Sequence, residues 1–240
     1  MNFSVVLICR NESKTLPKLM GSLKEFQKQD GEVILVDTGS TDGTPDLARS
    51  LGCKVTEVGE RFITTIDAEL AQKINEKFVA NDELPIVKDG DRLFDYSAAR
   101  NFAATLASND MCATPDCDEA YTRFDLDKIQ KAIEDGAEQL EYEFVYAHKP
   151  DGTPAVQFFH CKFYNRTKLH WVGIVHEILQ GEAKRQYLDE SIIKLEHFQQ
   201  PSAHRSNYLT GLALDCYLNP ENDRNSHYLG RELFWCGRRS

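Results

Sequence analysis

An apolar run that ends in an acid and a glycine-rich turn is the feature that most constrains how this chain folds. Residues 33–36 (Val-Ile-Leu-Val) are short and β-branched enough to predict a strand buried on both faces. Asp37 stands at its carboxyl end, and Thr44-Pro45, after two glycines, predicts a helix start with Thr44 as the N-cap. Because ligands of open α/β sheets bind beyond the carboxyl ends of strands, Asp37 is a candidate to accept hydrogen bonds from a base or ribose. A tight turn with a helix-capping acid explains the same residues.

The elements around this strand predict a parallel sheet. Residues 3–9 form a second continuous apolar run, and residues 16–29 follow with apolar side chains at helical spacing. A short helix over 45–51 is predicted to stop at Gly52, and residues 54–58 alternate as a third strand. Strand, helix, strand, helix and strand at this spacing are typical of a βαβαβ unit.

Beyond the third strand the pattern is less regular. Residues 60–93 are predicted to leave the sheet as an excursion, with a helix where apolar residues between 66 and 78 fall four apart. Residues 94–104 are predicted to begin a further helix that leaves Arg100 on its flank. This excursion is a candidate flap beside a site.

The second half of the chain predicts further strands and then helices. The alternation at 141–146 is typical of an edge strand. We expect a domain over residues 1–200 and a helical hairpin over 201–240. The remaining elements are expected at 111–115, 124–133 (helical), 155–164, 169–175, 191–198, 207–218 (helical) and 225–236 (helical).

Composition limits the partners and the compartment. The formal net charge of −10 argues against a general nucleic-acid surface, and a bound polyphosphate would need a metal or a local positive group. The seven cysteines include no Cys-x-x-Cys pair, which is typical of reduced thiols and predicts a cytoplasmic protein. No apolar run reaches membrane-spanning length, so we expect no transmembrane segment, and peripheral membrane contact stays open.

Three carboxylates fall within four positions at residues 116–119 (Asp-Cys-Asp-Glu), directly after a predicted strand. In an extended backbone Asp116 and Asp118 point to the same side and can converge on one hard cation. Mg²⁺ and Mn²⁺ prefer carboxylate oxygens and bridge readily to phosphates. A divalent-metal site is therefore the functional interpretation, and a chance cluster of surface acids is its alternative.

Other candidate groups lie near later strand ends, at His176, Glu177 and His197. An imidazole can complete the shell of a divalent metal, and a carboxylate can act as general base on an acceptor hydroxyl. Arg100 suits either a phosphate or base contact or a surface ion pair. Otherwise each histidine is an ordinary hydrogen-bonded residue, and Cys117 is a core or surface thiol.

Taken together, these segments resemble the family 2 glycosyltransferases of GT-A fold. The most specific segment is 36–44 (VDTGSTDGT), and its order relative to the acid cluster strengthens the resemblance. The last strand and the C-terminal helices are similar to members in which a tetratricopeptide-like tail follows the transferase domain. The resemblance implies an α/β GT-A fold with a mainly parallel central sheet and a C-terminal helical hairpin. The other matching segments are 8–12 (ICRNE), 97–101 (SAARN), 116–119 (DCDE), 162–166 (KFYNR) and 173–177 (GIVHE).

The resemblance implies transfer of a sugar from a nucleotide-diphosphate sugar to a glycan or another hydroxyl acceptor, with uridine as the expected base. Asp37 and Glu12 would contact the base and ribose, and Arg100 would lie nearby on the nucleotide. The residues assigned to the donor nucleotide are Cys9, Asn11, Glu12, Asp37, Arg100, Asp116 and Cys117.

The resemblance also implies a Mn²⁺ or Mg²⁺ cofactor. Asp118 would bind the metal across the diphosphate, and Asp116 would face the ribose or the metal. His197, or alternatively His176, would be a further ligand. The metal would stabilise the charge of the departing diphosphate.

Members of this family generally invert the anomeric centre by direct displacement, which needs a carboxylate base on the acceptor side. Glu177 is the first candidate for this base, and Glu119 is the second. Both lie in segments that match the family.

The same residues argue against two other enzyme classes. A nucleotidyltransferase needs a glycine-rich, basic loop after the first strand, and residues 10–13 (RNES) do not supply one. A Rossmann dehydrogenase needs Gly-x-Gly-x-x-Gly after an early strand, and neither early strand is followed by it. The remaining alternative is a non-catalytic sugar-nucleotide-binding or interaction module that acts through its C-terminal helices.

Overall fold

The predicted βαβαβ unit is confirmed in the computed structural model, which describes residues 1–80, 83–198 and 208–237. In chain order the elements are β1 (Phe3–Cys9), α1 (Leu16–Ser22), α2 (Lys24–Lys28), β2 (Glu32–Asp37), α3 (Thr44–Ser50), β3 (Lys54–Glu57), β4 (Ile63–Thr65), α4 (Ala68–Phe78), β5 (Arg92–Phe94), α5 (Tyr96–Thr105), β6 (Met111–Ala113), β7 (Glu119–Phe124), α6 (Leu126–Glu134), β8 (Gln139–His148), β9 (Pro154–Asn165), β10 (Leu169–Val172), β11 (Ile178–Gly181), β12 (Arg185–Tyr187), β13 (Ile193–His197), α7 (Tyr208–Leu218) and α8 (Asp223–Trp235).

The chain divides by its internal contacts into two units, which are described separately below. This grouping differs from the predicted boundary at residue 200, because residues 62–98 and 171–178 group with the C-terminal helices. The first unit contains Met1–Arg61, Ala99–His170 and the described part of Leu179–Pro201. The second unit contains the described parts of Phe62–Ala98, Trp171–Ile178 and Ser202–Ser240.

The first unit is organised on one sheet with the strand order β3-β2-β1-β6-β9-β8-β13-β7, and β12 pairs with β8 outside this path. The strands β3, β2, β1 and β6 are parallel, so their carboxyl ends share one edge of the sheet. A second parallel group, β8 with β12 and β13, is joined to them by β9, which runs antiparallel to both β6 and β8. The predicted α/β architecture with a mainly parallel central sheet is confirmed.

The interior position of β8 corrects one prediction. Residues 141–146 were expected to form an edge strand, but β8 lies between β9 and β13. Its alternation has another cause, since Glu141 and Glu143 lie on a half-buried face and Tyr142 and Phe144 are buried. β7, β11 and β12 are strands that the sequence pattern did not indicate.

Two helix boundaries also differ from expectation. The single helix predicted over 16–29 is two short helices, α1 and α2, which meet at Leu23. Thr44 is the first residue of α3 and not its N-cap, which is Gly43 at φ 82°. The Thr44 hydroxyl instead donates to Asp42 Oδ1 at 2.5 Å, so it stabilises the turn before the helix.

The core of the first unit is built around the N-terminal strand. The Phe3 ring lies 4.8 Å from the ring of Phe26 in α2 and 4.8 Å from the ring of Phe163 in β9. All three side chains are fully buried, which anchors β1 between a helix and the distant hairpin strand. Burial of aromatic side chains on this scale is a principal source of folding free energy.

The second unit has its own core. β4 and β5 form an antiparallel pair, and the helix predicted between 66 and 78 is confirmed as α4. The buried residues Ile66 and Ile74 belong to one cluster with Leu212 of α7 and Leu229 of α8. Asn207, the first residue of the predicted 207–218 helix, lies outside the described residues, and α7 is described from Tyr208.

None of the helices in the described ranges combines the length and the apolar composition needed to cross a bilayer.

Glu32 ties the start of β2 to its neighbours in the first unit. Its carboxylate accepts hydrogen bonds from Ser4 Oγ at 2.6 Å, from Ser108 N at 2.9 Å and from Lys54 Nζ at 2.7 Å. Partial burial acts to raise the pKa of Glu32, but the bonds from Lys54, Ser4 and Ser108 lower it to about 2. The ionised carboxylate therefore stabilises the folded chain.

Glu32→Gln should destabilise the chain by about 1 kcal/mol at neutral pH, after allowance for solvent screening. Because the folded-state pKa lies below the unfolded value of 4.5, this contribution is present above that pH and is lost as the pH falls towards 2. Urea unfolding of wild type and variant at neutral pH and at pH values between these limits measures the difference, which should shrink with acidity. Glu25→Gln, at an exposed pair with Lys28, is the control and should change stability little. A difference that is independent of pH would contradict the assignment.

Candidate functional site

The acid cluster at residues 116–119 forms the turn between β6 and β7. Asp116 O accepts from Glu119 N at 3.0 Å, and Asp116 N donates to a Glu119 carboxylate oxygen at 2.7 Å. The expectation of an extended backbone here is wrong, because these two bonds close a turn. The carboxylates of Asp116 and Asp118 accordingly bind different partners.

Asp116 belongs to a buried network of two acids and two bases. Its Oδ1 accepts from Arg100 Nη2 at 2.6 Å, and its Oδ2 accepts from Lys162 Nζ. Lys162 Nζ also donates to Glu119 Oε1 at 2.7 Å. Arg100, Lys162 and Glu119 are 5%, 6% and 2% exposed, so water cannot compensate their charges and each depends on the others.

The network sets the protonation of both acids. Burial acts to raise the pKa of Asp116, but Lys162 and Arg100 outweigh it and hold that pKa well below its usual range. Burial raises the pKa of Glu119 to about 7, and Lys162 opposes this increase. Asp116 is therefore ionised at neutral pH, while Glu119 is poised to share a proton.

Asp118 and His197 form a second pair beside this network. Asp118 Oδ2 lies 2.9 Å from His197 Nε2, and the antiparallel register of β7 and β13 places His197 opposite Glu119. His197 Nδ1 lies 3.1 Å from Tyr146 O. Because a carbonyl oxygen only accepts, Nδ1 carries a proton and Nε2 is the nitrogen directed at the carboxylate.

The His197 ring is held in place by packing as well as by hydrogen bonds. It stacks on the Tyr146 ring with centroids 5.3 Å apart and planes 18° apart. The hydrogen bond with Asp118 raises the pKa of His197, against partial burial. A fixed imidazole next to a carboxylate is the kind of donor pair that divalent metals use.

The donor atoms of this site determine how a divalent ion would fit it. Within the described ranges no three side chains of His, Cys, Asp or Glu gather as a ready metal-binding group. Asp118 and His197 offer an oxygen and a nitrogen side by side, whereas both oxygens of Asp116 are bound by cations. The donors present therefore fit a two-residue protein contribution to a Mn²⁺ or Mg²⁺ site.

Asp37 caps its own turn at the end of β2. Its Oδ2 accepts from Gly39 N and Ser40 N, both at 3.0 Å, and the residue is only 2% exposed. Cys9 Sγ donates to Asp37 Oδ1 at 3.7 Å from the paired position on β1. The tight turn is thus confirmed, but Asp37 does not cap the following helix, because the N-cap of α3 is Gly43. Gly39 at φ 99° supplies a conformation that other residues rarely adopt.

The loops after β1 and β2 are joined by side-chain to backbone hydrogen bonds. Asn11 N donates to Ser40 Oγ at 2.8 Å, and Asn11 Oδ1 accepts from Thr41 N at 2.8 Å. Glu12 N donates to Thr44 Oγ1 at 2.9 Å. These bonds bring Asn11, Glu12 and Asp37 into one region of the sheet edge.

Glu12 connects this region with the acid cluster. Its carboxylate accepts a short hydrogen bond from the Thr15 hydroxyl. Burial raises the pKa of Glu12, and the negative charges of Asp118, Asp116 and Asp42 raise it further, against the Thr15 bond. Acids from separate loops therefore act on one another at one edge of the first unit.

Cys9 and Cys117 lie beneath these loops. Cys117 Sγ donates to Ile8 O at 3.7 Å, and the two thiols are 5% and 4% exposed. A hydrogen bond with Cys9, together with burial, raises the pKa of Cys117 well above its usual range, so the thiol stays neutral. These packing contacts support the loops from below.

Sequence reasoning missed Lys162, although the segment 162–166 was noted as similar to the family. A lysine at an inward position of a strand, beside the buried Phe163, was the available signal. Arg100 was expected on a helix flank and is instead buried against Asp116. Both errors have the same cause, because the acids that hold these bases lie far away in the sequence.

His176 and Glu177 belong to the second unit. His176 has φ 54°, and its ring stacks on Tyr228 at 4.1 Å and meets Tyr208 edge-on at 4.8 Å. Burial lowers the pKa of His176, and the positive charges of Arg224 and Arg231 lower it further, so the ring is neutral. The predicted metal role of His176 and the predicted base role of Glu177 stay predictions.

Residues 4–64 match the protein family described as Glycosyl transferase family 2. This range contains β1, β2 and β3 together with the joined loops that carry Asn11, Glu12 and Asp37. The match therefore covers these joined loops and ends before the acid cluster.

Two curated relatives are similar to the chain. A TPR repeat-containing protein of Synechococcus elongatus is 25% identical over 199 residues, which are 83% of this chain and 38% of that protein. The 4,4'-diaponeurosporenoate glycosyltransferase of Staphylococcus haemolyticus is 44% identical over 57 residues, which are 24% of this chain and 15% of that protein. The chain thus spans less than half the length of either relative.

Solved structures share the fold. S. aureus TarS 1-349 in complex with UDP-GlcNAc has a TM-score of 0.54 and 15% identity over 90% of this chain and 66% of that chain. Another structure of S. aureus TarS has a TM-score of 0.51 and 14% identity over 90% of this chain and 39% of that chain. The chain therefore shares the GT-A fold of these structures, and its residues 4–64 are similar to glycosyl transferase family 2.

Lys162→Met should destabilise the fold by about 3 kcal/mol, because it leaves the buried Glu119 carboxylate without its cation and removes one of the two cations bound to Asp116. Urea unfolding measures the loss. Adding Glu119→Gln should recover part of it, since the amide needs no counter-charge. Lys131→Met, which removes an exposed pair with Asp135, is the matched control and should cost less than about 1 kcal/mol. Equal losses in the two lysine variants would show that the buried network is not what holds the turn.

Proposed function

We propose that this chain moves a sugar from a nucleotide-diphosphate sugar, specifically a UDP-sugar, to a hydroxyl acceptor with inversion at the sugar. The observation that carries the proposal is the hydrogen-bonded joining of the loops after β1 and β2, which places Asn11, Glu12 and Asp37 at the carboxyl edge of the parallel strands. The family match over residues 4–64 supports the class of reaction. The similarity to TarS, whose structure contains UDP-GlcNAc, supports the class of donor.

The nucleoside end of the donor is assigned to the joined loops. Asp37 and Glu12 contact the base and ribose in this proposal, and Asn11 holds the two loops together for that contact. Cys9 and Cys117 support the loops from below through hydrogen bonds of their thiols to Asp37 and to Ile8 O. A rigid site of this kind lowers the ordering cost of binding.

Asp116 is assigned to the ribose. Arg100 and Lys162 keep it ionised and fix both of its oxygens, so its orientation does not depend on the donor. The same two bases carry positive charge into a chain of net charge −10.

The diphosphate end of the donor is assigned to Asp118 and His197, which would hold a Mn²⁺ or Mg²⁺ ion. Such an ion, when bound, neutralises charge on the departing diphosphate. Tyr146 O accepts a hydrogen bond from Nδ1 of His197 and so keeps a proton on that nitrogen. Nε2 is then the nitrogen that would bind the metal. His176 is the weaker candidate, since its ring is packed between tyrosines of the second unit.

Glu177 is assigned as the general base. Its carboxylate takes the proton of the acceptor hydroxyl while that oxygen bonds to the anomeric carbon. The bond from this carbon to the diphosphate oxygen breaks at the same time, and its electron pair leaves with UDP. Glu119, the second candidate, is 2% exposed and bound by Lys162, which favours a structural role.

Calorimetric titration with UDP, GDP and dTDP, each with and without Mn²⁺, tests the donor site. We expect UDP to bind most tightly and Mn²⁺ to tighten it by roughly tenfold or more, as a metal bridging protein and phosphates would. Asp118→Asn should remove the Mn²⁺ effect and leave the circular dichroism spectrum unchanged. Asp46→Asn, at a side chain that is 91% exposed, is the control and should retain it. A Mn²⁺ effect of full size in Asp118→Asn would exclude the assigned metal residues.

Glu177→Gln should lower the rate of UDP release from UDP-GlcNAc or UDP-glucose, in the presence of a panel of saccharide acceptors, by roughly 10²-fold or more. UDP affinity should change less than about twofold, because the base acts on the acceptor. Glu182→Gln, at an exposed residue of the other unit, is the control. Full activity in Glu177→Gln would reassign the base.

The alternative is a non-catalytic module that acts through its C-terminal helices. Its supporting observation is the exposure of two large side chains on α8, Phe234 at 74% and Trp235 at 66%. UDP binding by the wild-type chain without turnover on any acceptor of the panel would favour this alternative over the transferase.

A further inference from the structure

The segment 173–177, which ends at Glu177, is held by a buried acid of the C-terminal helices. Asp215 Oδ2 accepts from Ile174 N at 2.8 Å and from Val175 N at 3.2 Å. Asp215 is 1% exposed in the otherwise largely apolar α7. A buried carboxylate is costly unless its hydrogen bonds compensate it, so these two bonds account for its presence.

One helical turn before Asp215, Gly211 makes room for the same segment. A Cβ atom added at Gly211 would lie 2.8 Å from Val175 Cγ1, which is closer than packed carbon atoms approach. Residues four apart share one face of a helix. The same face of α7 therefore provides space for Val175 at Gly211 and a hydrogen-bond acceptor at Asp215. Thr210 Oγ1, which donates to Ile86 O at 3.0 Å, fixes the same helix from another side.

α8 holds the next residue of the segment. Arg224 Nη1 donates to His176 O at 2.7 Å, and Tyr228, four residues further along α8, stacks on the His176 ring at 4.1 Å. On the other side of the segment, Ser97 Oγ donates to Gly173 O at 2.5 Å. His176 is thereby kept at φ 54°, a conformation that persists only when its surroundings determine it.

We infer that Asp215, Gly211 and Arg224 are positioning residues for the Glu177 carboxylate, and that the C-terminal helices are a working part of the transferase. The inference rests on the proposed function, in which Glu177 is the base. The contacts fix the four residues that precede Glu177. A general base that is displaced by about 1 Å from the acceptor hydroxyl loses much of its contribution to the reaction rate. Donor binding involves the other unit and does not require these contacts.

A pair of glycine variants tests the inference. Gly211→Ala and Gly230→Ala both raise the helix propensity of an interior position, but only the first adds a methyl group against Val175. Gly230 has no atom within 4 Å of the added Cβ. We expect Gly211→Ala to lower the kcat of transfer at least about tenfold, with the donor KM and UDP affinity unchanged. Gly230→Ala should match wild type in all three.

Asp215→Asn provides a second variant in case Gly211→Ala does not fold. The amide preserves shape and one acceptor oxygen, so we expect a smaller fall in kcat with the same unchanged donor KM. Hydrogen exchange at Ile174 and Val175 should accelerate in Asp215→Asn, because their amide bonds to the carboxylate are weakened. Exchange at the backbone amides of α7 should change less, which separates this effect from general unfolding.

The outcomes are distinguishable. Transfer by wild type, with kcat unchanged in both Gly211→Ala and Asp215→Asn, would overturn the inference and leave the proposed function intact. A parallel fall in UDP affinity and kcat would also overturn it, since that pattern indicates general destabilisation. A wild-type chain that binds UDP but transfers no sugar would remove the proposed function and the catalytic role of these residues with it. Hydrogen exchange would then still decide whether Asp215 holds the segment.

Discussion

The buried network of Arg100, Asp116, Lys162 and Glu119 is the interaction on which the candidate site depends. Arg100, Lys162 and Glu119 are buried, so their charges are tolerated only because they pair with one another and with the partly exposed Asp116. The network also closes the turn between β6 and β7, and this places Asp118 within reach of His197. The same ion pairs therefore close the turn and keep two buried basic side chains stable beside the proposed diphosphate site.

The pattern of apolar and turn residues over short stretches of sequence predicted the early strands and helices. The apolar runs at 3–9 and 33–36 and the turn chemistry after Asp37 were sufficient for β1, β2 and the βαβαβ unit. The burial of Arg100 and the role of Lys162 depend on acids that approach only when distant strands pair, so no window of sequence contains them. The position of β8 in the sheet could not be predicted for the same reason. Alternation of apolar and polar residues shows that one face of a strand is exposed, but it does not show which strands lie beside it.

The two interpretations of Asp37 turned out not to exclude one another. One oxygen caps the turn through Gly39 N and Ser40 N, and the other accepts from Cys9 Sγ. A turn held in this way presents the loop residues at the sheet edge in a fixed arrangement, which is what a nucleotide site requires. The segment was recognisable from sequence because the same residues serve the turn and the proposed site.

Backbone strain links the two proposed acids of the reaction. Among the described residues, the non-glycine positions with positive φ are Asn11, Asp30 and His176, and two of them directly precede Glu12 and Glu177. Such a conformation costs of order 1 kcal/mol or more and persists only where contacts determine it. Asn11 is held by the loop after β2, and His176 is held by α8. In the first unit these contacts hold the residue before Glu12, which is proposed to bind the donor, and in the second unit they hold the residue before Glu177, the proposed base.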